Sequence, residues 1–208
     1  METTEILNTI ALTLGTGWAS GLNIYATILM LGVLEVTGQL TLPEGLAIIS
    51  HPLVIGSAAL MYGVEFIADK IPGFDSIWDS VHTFIRIPLG ALLAAGMVGD
   101  LGIAAEFAGL ILGGGLATGS HATKAGGRIL LNTSPEPVTN WTASVTEDTA
   151  VFGGLWAAIY HPWVFIGMLA VFILLMIWLL PKIWYGIKTV FAAIGRLFGA
   201  KSASNEQS

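Results

Sequence analysis

Apolar runs fill most of this chain, at about 6–37, 48–68, 77–98, 102–131, 150–180 and 183–199. About 20 helical residues cross a hydrocarbon layer roughly 30 Å thick, so runs of this length predict membrane-crossing helices. With 54% hydrophobic residues, 11% charged residues and a mean hydropathy of +0.78, the chain lies far from the roughly 25% charged fraction of soluble domains. Its 208 residues hold six such spans and no soluble domain beside them. The expected fold is an all-α polytopic membrane protein with the lipid bilayer as its first partner. The last run is the exception: it is short, carries Lys188 and Arg196, and reads alternatively as an amphipathic helix lying along the interface.

The same numbers exclude several classes. A net charge of −6 with no basic stripe is not the footprint of a nucleic-acid binder. The absence of cysteine rules out disulfides, thiolate catalysis and thiolate metal sites. The start, Met1 to Glu5, lacks the positive charges of a secretory signal, so the first run is expected to stay in place.

Two short strings recur 98 residues apart. Gly15-Thr-Gly17-Trp-Ala-Ser-Gly21 is matched by Gly113-Gly-Gly115-Leu-Ala-Thr-Gly119. A second pair, His51-Pro52 and His161-Pro162, recurs at an offset of 110, with the 12-residue difference placed in the loop around Asn132–Glu147. The reading is a duplication: a first membrane repeat at 1–99, a second at 100–200 and a disordered polar tail at 201–208. The runs holding the glycine strings are too long for one straight span, so each is expected to be a broken helix. Paired broken helices point to a site near the bilayer midplane, although small residues also let membrane helices approach closely. Three spans per repeat would invert the second copy. Lys70, Arg128, Arg196 and Lys201 then share one face against Lys182, which places both termini in the cytoplasm of a bacterial inner membrane. Both His-Pro pairs read as helix starts, with the histidines structural.

Charges are scarce, and they cluster. Glu65 and Asp69 share a helix face; Asp75, Asp79, His82 and Arg86 form a stripe on the next helix; His121, Lys124 and Arg128 form a third. The loop from Asn132, with Glu147 and Asp148 beyond it, makes a further group. Intramembrane charge is costly, so these groups are expected to meet in the cytoplasmic half. Glu65, Asp69, Asp75, Asp79, His82 and Arg86 are candidates for a gate or proton relay. Lys124, His121, Ser20, Asn23, Thr118 and Arg128 are candidates for binding a substrate. The plain alternative is an ion-pair network that pins the repeats together.

Gly-Trp-Ala-Ser-Gly-Leu-Asn-Ile-Tyr at 17–25, the stretch from Glu65 to Asp79, His82 to Arg86, Ser120 to Gly126 and Asn-Thr-Ser-Pro-Glu-Pro at 132–137 together resemble a family of small bacterial integral membrane proteins described only as a domain of unknown function. The likeness covers about residues 15–150. It implies a polytopic inner-membrane protein and brings no activity, substrate or site residue.

Three functions remain in competition. The first is a transporter or channel for a small ion, solute or lipid head group, using a midplane site at the paired breaks. The second is a scaffold or assembly subunit without chemistry. The third is an intramembrane lipid-modifying enzyme holding a divalent metal through Asp75, Asp79 and His82. No cofactor is otherwise implied, and a homo-oligomer is compatible with so small a unit.

Overall fold

The computed structural model describes residues 3–133 and 137–205, with side-chain surroundings for 4–133 and 138–192. Among these residues all regular structure is helical. Six α-helices follow in order: α1 Thr3–Val36, α2 Pro52–Ala68, α3 Phe74–Gly96, α4 Ile103–Leu131, α5 Pro137–Tyr160 and α6 Pro162–Asn205. Short 3-10 helices at Glu44–Ser50 and Gly99–Leu101 join them. Three stretches, Thr4–Val36, Ile103–Leu131 and Pro162–Ala192, are long and apolar enough to cross a membrane. Glu44–Ser50 and Pro52–Ala68 qualify together as a pair bent by 64°. Six such stretches were expected; three stand, or four with the bent pair. α3 and α5 carry much of the buried charge instead, through Asp75, Asp79, Arg86 and Asp148.

The His-Pro pairs begin helices as expected. Nδ1 of His51 accepts the Leu53 N–H at 3.2 Å, capping α2 with Pro52 in its first turn. Pro162 opens α6. That boundary falls inside the run read as one span at 150–180, which divides between α5 and α6. The run at 183–199 is likewise no separate element, because α6 continues through Pro181 to Asn205. The tail expected from 201 thus starts within α6, and 206–208 lie outside the described residues. Two tight connections need glycine: Gly73, with φ of 83°, between α2 and α3, and Gly102, with φ of 95°, before α4.

α1 is the axis of the bundle and packs on every other α-helix. Trp18, Ala19 and Leu22 meet Val151, Leu155 and Phe165 of α5 and α6 on one side. Ile24 and Leu31 meet Leu46, Ile49 and Leu93 on another. The glycine strings serve this packing. A methyl carbon on Gly17 would lie 2.5 Å from Cα of Gly113, Gly21 abuts Ala117 and Ser120, and Gly119 abuts the Met176 thioether. Gly15 faces Ala158 and Phe165, while Gly115 faces open space. The two strings are packed against each other, and neither is itself a break. α4 runs unbroken from Ile103 to Leu131, which corrects the expectation of a second broken helix. α1 is broken, but at Asn23, where φ is −152° and ψ is 99°.

Contact register gives the helix directions. Gly17 meets Gly113, Gly21 meets Ala117 and Leu22 meets Lys124, so α1 and α4 run in the same sense. Gly119 with Met176 and Gly126 with Ile183 give α6 that sense too. α3 opposes α4, through Ala94 with Gly113 and Thr83 with His121, and α5 opposes α1, through Gly154 with Trp18 and Asp148 with Asn23. The helices that carry the two glycine strings, α1 and α4, are therefore parallel neighbours, where a helix count had suggested inversion.

Candidate functional site: a buried charge network at the break in α1

The break begins with one amide. Asn23 takes an extended conformation, and its Oδ1 accepts the N–H of Ala26 at 2.9 Å, the bond of an N-cap residue to its third helical position. That N–H would otherwise go to the carbonyl of Leu22. The freed carbonyl accepts a hydrogen bond from Lys124 Nζ at 3.1 Å, a cation placed at the negative end of the first half-helix. Lys124 of α4, a helix expected to be broken itself, thus serves the break in α1.

Around this point the charged clusters of α2, α3, α4 and α5 converge. Lys124 Nζ lies 2.7 Å from Asp69, 3.3 Å from Glu65, 3.6 Å from Glu147 and 3.8 Å from Asp79. Arg86 clamps Glu65 at 2.8 Å and Asp79 at 2.6 Å. Arg128 holds Glu147 through both Nε and Nη2, at 3.3 and 2.6 Å, and donates to the Asp69 carbonyl at 2.6 Å. It also lies 3.6 Å from Asp75. Asp75 is further held by the Ser76 N–H and the Asn132 amide, each at 2.6 Å. Three cations (Arg86, Lys124, Arg128) face five carboxylates (Glu65, Asp69, Asp75, Asp79, Glu147), and only Glu147 has appreciable solvent access, at 19% of its side chain. Burying charge costs several kcal/mol per ion unless it is paired, so the convergence of complementary stripes is what lets these helices pack.

The expected site residues divide accordingly. Lys124, Arg128, Asn23, Glu65, Asp69, Asp75, Asp79 and Arg86 are brought together. His121 joins through Arg86: Nη1 donates to Nδ1 at 3.2 Å, so the proton sits on Nε2 and is donated to Thr83 Oγ1 at 2.7 Å. His82 stands beside the network, donating from Nδ1 to the Trp78 carbonyl at 2.8 Å and accepting from the Tyr25 hydroxyl at 3.2 Å. With both nitrogens engaged, it is not free to join Asp75 and Asp79 around a metal. Among the described residues, no group of three or more His, Asp or Glu side chains is placed to hold one. Ser20 and Thr118 are corrections. Ser20 bonds back to the Thr16 carbonyl and packs on Gly90; Thr118 bonds back to the Gly114 carbonyl on an exposed face. Helix spacing alone could not reveal that Thr118 faces outward while Ser20 is buried against α3.

The further group expected to converge, with Asn140, Lys70 and Ser144 that were not foreseen, completes the site. Glu147 and Asp148 enter from α5, and Asn132 and Asn140 tie Asp75 in place. Lys70 sits over the Phe66 ring, 2.9 Å from its centroid, and donates to Ser144 Oγ at 3.1 Å. Burial lowers its pKa from the usual lysine value, against the opposing pull of Asp148 and Asp69. A cleft of about 430 Å³ between α3, α4 and α6 reaches His121 and Thr83. An apolar groove of about 520 Å³ runs beside Trp18, Gly154 and Phe172.

Among the described residues the regular structure is all helical, three helices are long and apolar enough to span a membrane, and a buried ion network lies beside two of them, features that suggest a membrane-associated helical protein. Residues 10–182 match the model of the family described as Domain of unknown function (DUF4126), and the chain belongs to that family. No curated protein and no solved structure matched it.

Proposed function

We propose that this protein carries a small ion through a membrane, with the charge network at the α1 break as its site. One observation supports the reading above the others. A helix long and apolar enough to span is interrupted at Asn23, and the freed Leu22 carbonyl faces Lys124 among carboxylates that outnumber their cations. Broken helices with exposed carbonyls beside ionisable groups are how membrane carriers build ion sites. On this reading the protein lies in a bacterial inner membrane. The same-sense packing of α1 and α4 favours parallel over inverted copies, and α1 and α6 running alike favours termini on opposite faces.

The test is ion flux in proteoliposomes, with K⁺, Na⁺, H⁺ and Cl⁻ measured in turn. Flux is expected in the native protein and is expected to be lost in Lys124→Ala while helical content and elution volume stay unchanged. No flux of any of these ions in the native protein would overturn the reading.

A scaffold without chemistry is the second reading, favoured by the close glycine contacts and by the several carboxylate partners of each cation. Exchanging the charges of Lys124 and Asp79 does not separate the two readings. That pair is the longest of the lysine's contacts, and Lys124 also holds Glu65, Asp69 and Leu22. Flux does separate them.

A further inference from the structure

Asp148 differs from every other carboxylate at the break. It is 8% exposed, and no Lys, Arg or His nitrogen among the described residues comes within ion-pair distance. Its Oδ1 accepts one bond, from the Asn23 amide at 3.2 Å. Among the described residues its Oδ2 is buried without a hydrogen bond of ordinary length, as is one oxygen each of Glu65, Asp69 and Asp79. The Tyr62 hydroxyl faces the carboxylate; the lack of an ion-paired cation is what sets Asp148 apart. The groups that face it are Asn23 of α1, Tyr62, Glu65 and Asp69 of α2, Lys70 in the following turn and Lys124 of α4. Lys124 is already engaged by Asp69 and Glu65, and Lys70 by Ser144 and the Phe66 ring.

A carboxylate that is buried, beside other carboxylates and without a cation of its own is stabilised by taking a proton. From this geometry we infer that Asp148 is a proton-binding residue, and that the ion moved through the α1 break is a proton. The inference rests on the transport reading above for its second half only. The step is a single O–H bond: Oδ2 takes a proton from solvent water on loading and returns one on release. Its consequence lies at Asn23. A charged acceptor makes a markedly stronger hydrogen bond than a neutral one, so loading loosens the hold on the very residue that interrupts α1. A metal cation is the poorer fit. The other carboxylates each have an oxygen committed to a fixed lysine or arginine, and hard cations take six or more oxygen ligands.

The experiment pairs two readouts on the native protein, Asp148→Asn and Asp148→Glu in lipid. Infrared difference spectra taken across a pH titration report a protonated buried carboxyl directly. Flux of H⁺ and of K⁺ in proteoliposomes reports transport. A carboxyl band present near neutral pH, lost in Asp148→Asn and shifted in Asp148→Glu, is the expected result, together with loss of H⁺ flux in Asp148→Asn. A band unchanged by Asp148→Asn, or absent from the native protein, overturns the proton site. The expected band with no native flux of any ion leaves the proton site standing and overturns transport. Native K⁺ flux that Asp148→Asn leaves intact keeps transport and overturns the proton as its ion. Asp148→Glu keeps a titrating group of similar shape, so its folding guards against a loss caused by misassembly alone.

Discussion

One methyl group distinguishes two kinds of glycine in this chain. At Gly17 the added carbon would press on the Gly113 backbone, which has no side chain to turn aside; at Gly115 it would meet nothing within 4 Å. Gly17→Ala is therefore expected to cost about 1–3 kcal/mol, as overpacking does. Gly115→Ala is expected to be neutral or stabilising by up to about 1 kcal/mol, because alanine is the better helix former. Thermal unfolding of both variants in detergent checks the contrast, and equal shifts would remove the packing role given to Gly17. The same pair explains a misreading. Glycine strings signal both broken helices and closely packed ones, and the two meanings share one spelling. What decides between them is the partner across the interface, which for Gly17 lies 96 positions further on. Ser20 and Thr118 misled for the same reason: a hydroxyl on an apolar helix has the neighbouring turn's carbonyl to bond, and each of them does so.

At the scale of the helix, the break in α1 depends on the Asn23 side chain doing two things. Its Oδ1 caps the second half and its Nδ2 holds Asp148. Asn23→Ala removes both and is expected to lower stability by about 1 kcal/mol, the usual cost of losing an N-cap. Asn23→Asp keeps the cap but sets a carboxylate against Asp148, so its loss is expected to shrink at low pH. Unfolding midpoints at two pH values read the difference; an Asn23→Asp variant that behaves as the native protein at both would show that the cap alone matters. The break was legible in outline, since an overlong apolar run with polar residues in it has to be interrupted somewhere. Its position was not, because nothing local separates Asn23 from the glycines two to eight residues before it. The α5–α6 boundary was half legible. His161-Pro162 marked a helix start, yet the continuous hydrophobicity on either side hid the end of the helix before it.

For the molecule as a whole, the network ties α2, α3, α4 and α5 together around α1 with contacts that water barely reaches. Salt screens exposed charges strongly and buried ones far less. The unfolding temperature in detergent is therefore expected to change little between low and high NaCl, and a large fall at high salt would mean that the network is open to solvent. Its convergence was readable beforehand, because charges too costly to leave alone in an apolar chain have to find one another. The parallel course of α1 and α4 was not readable, since a helix count gives parity only if every apolar run crosses once, and the bent pair does not fit that count. The network also has a history within each molecule. Chains emerge from the ribosome N-terminus first, so Glu65, Asp69, Asp75 and Asp79, with Arg86 the cation that comes to clamp two of them, are synthesised before Lys124 and Arg128 exist. Until then the carboxylates of α2 and α3 outnumber the one arginine that pairs with them, an arrangement costly to place in lipid. If the chain inserts as the proposed membrane protein, the fourth helix, which brings Lys124 and Arg128, is expected to be the step that commits it to its place.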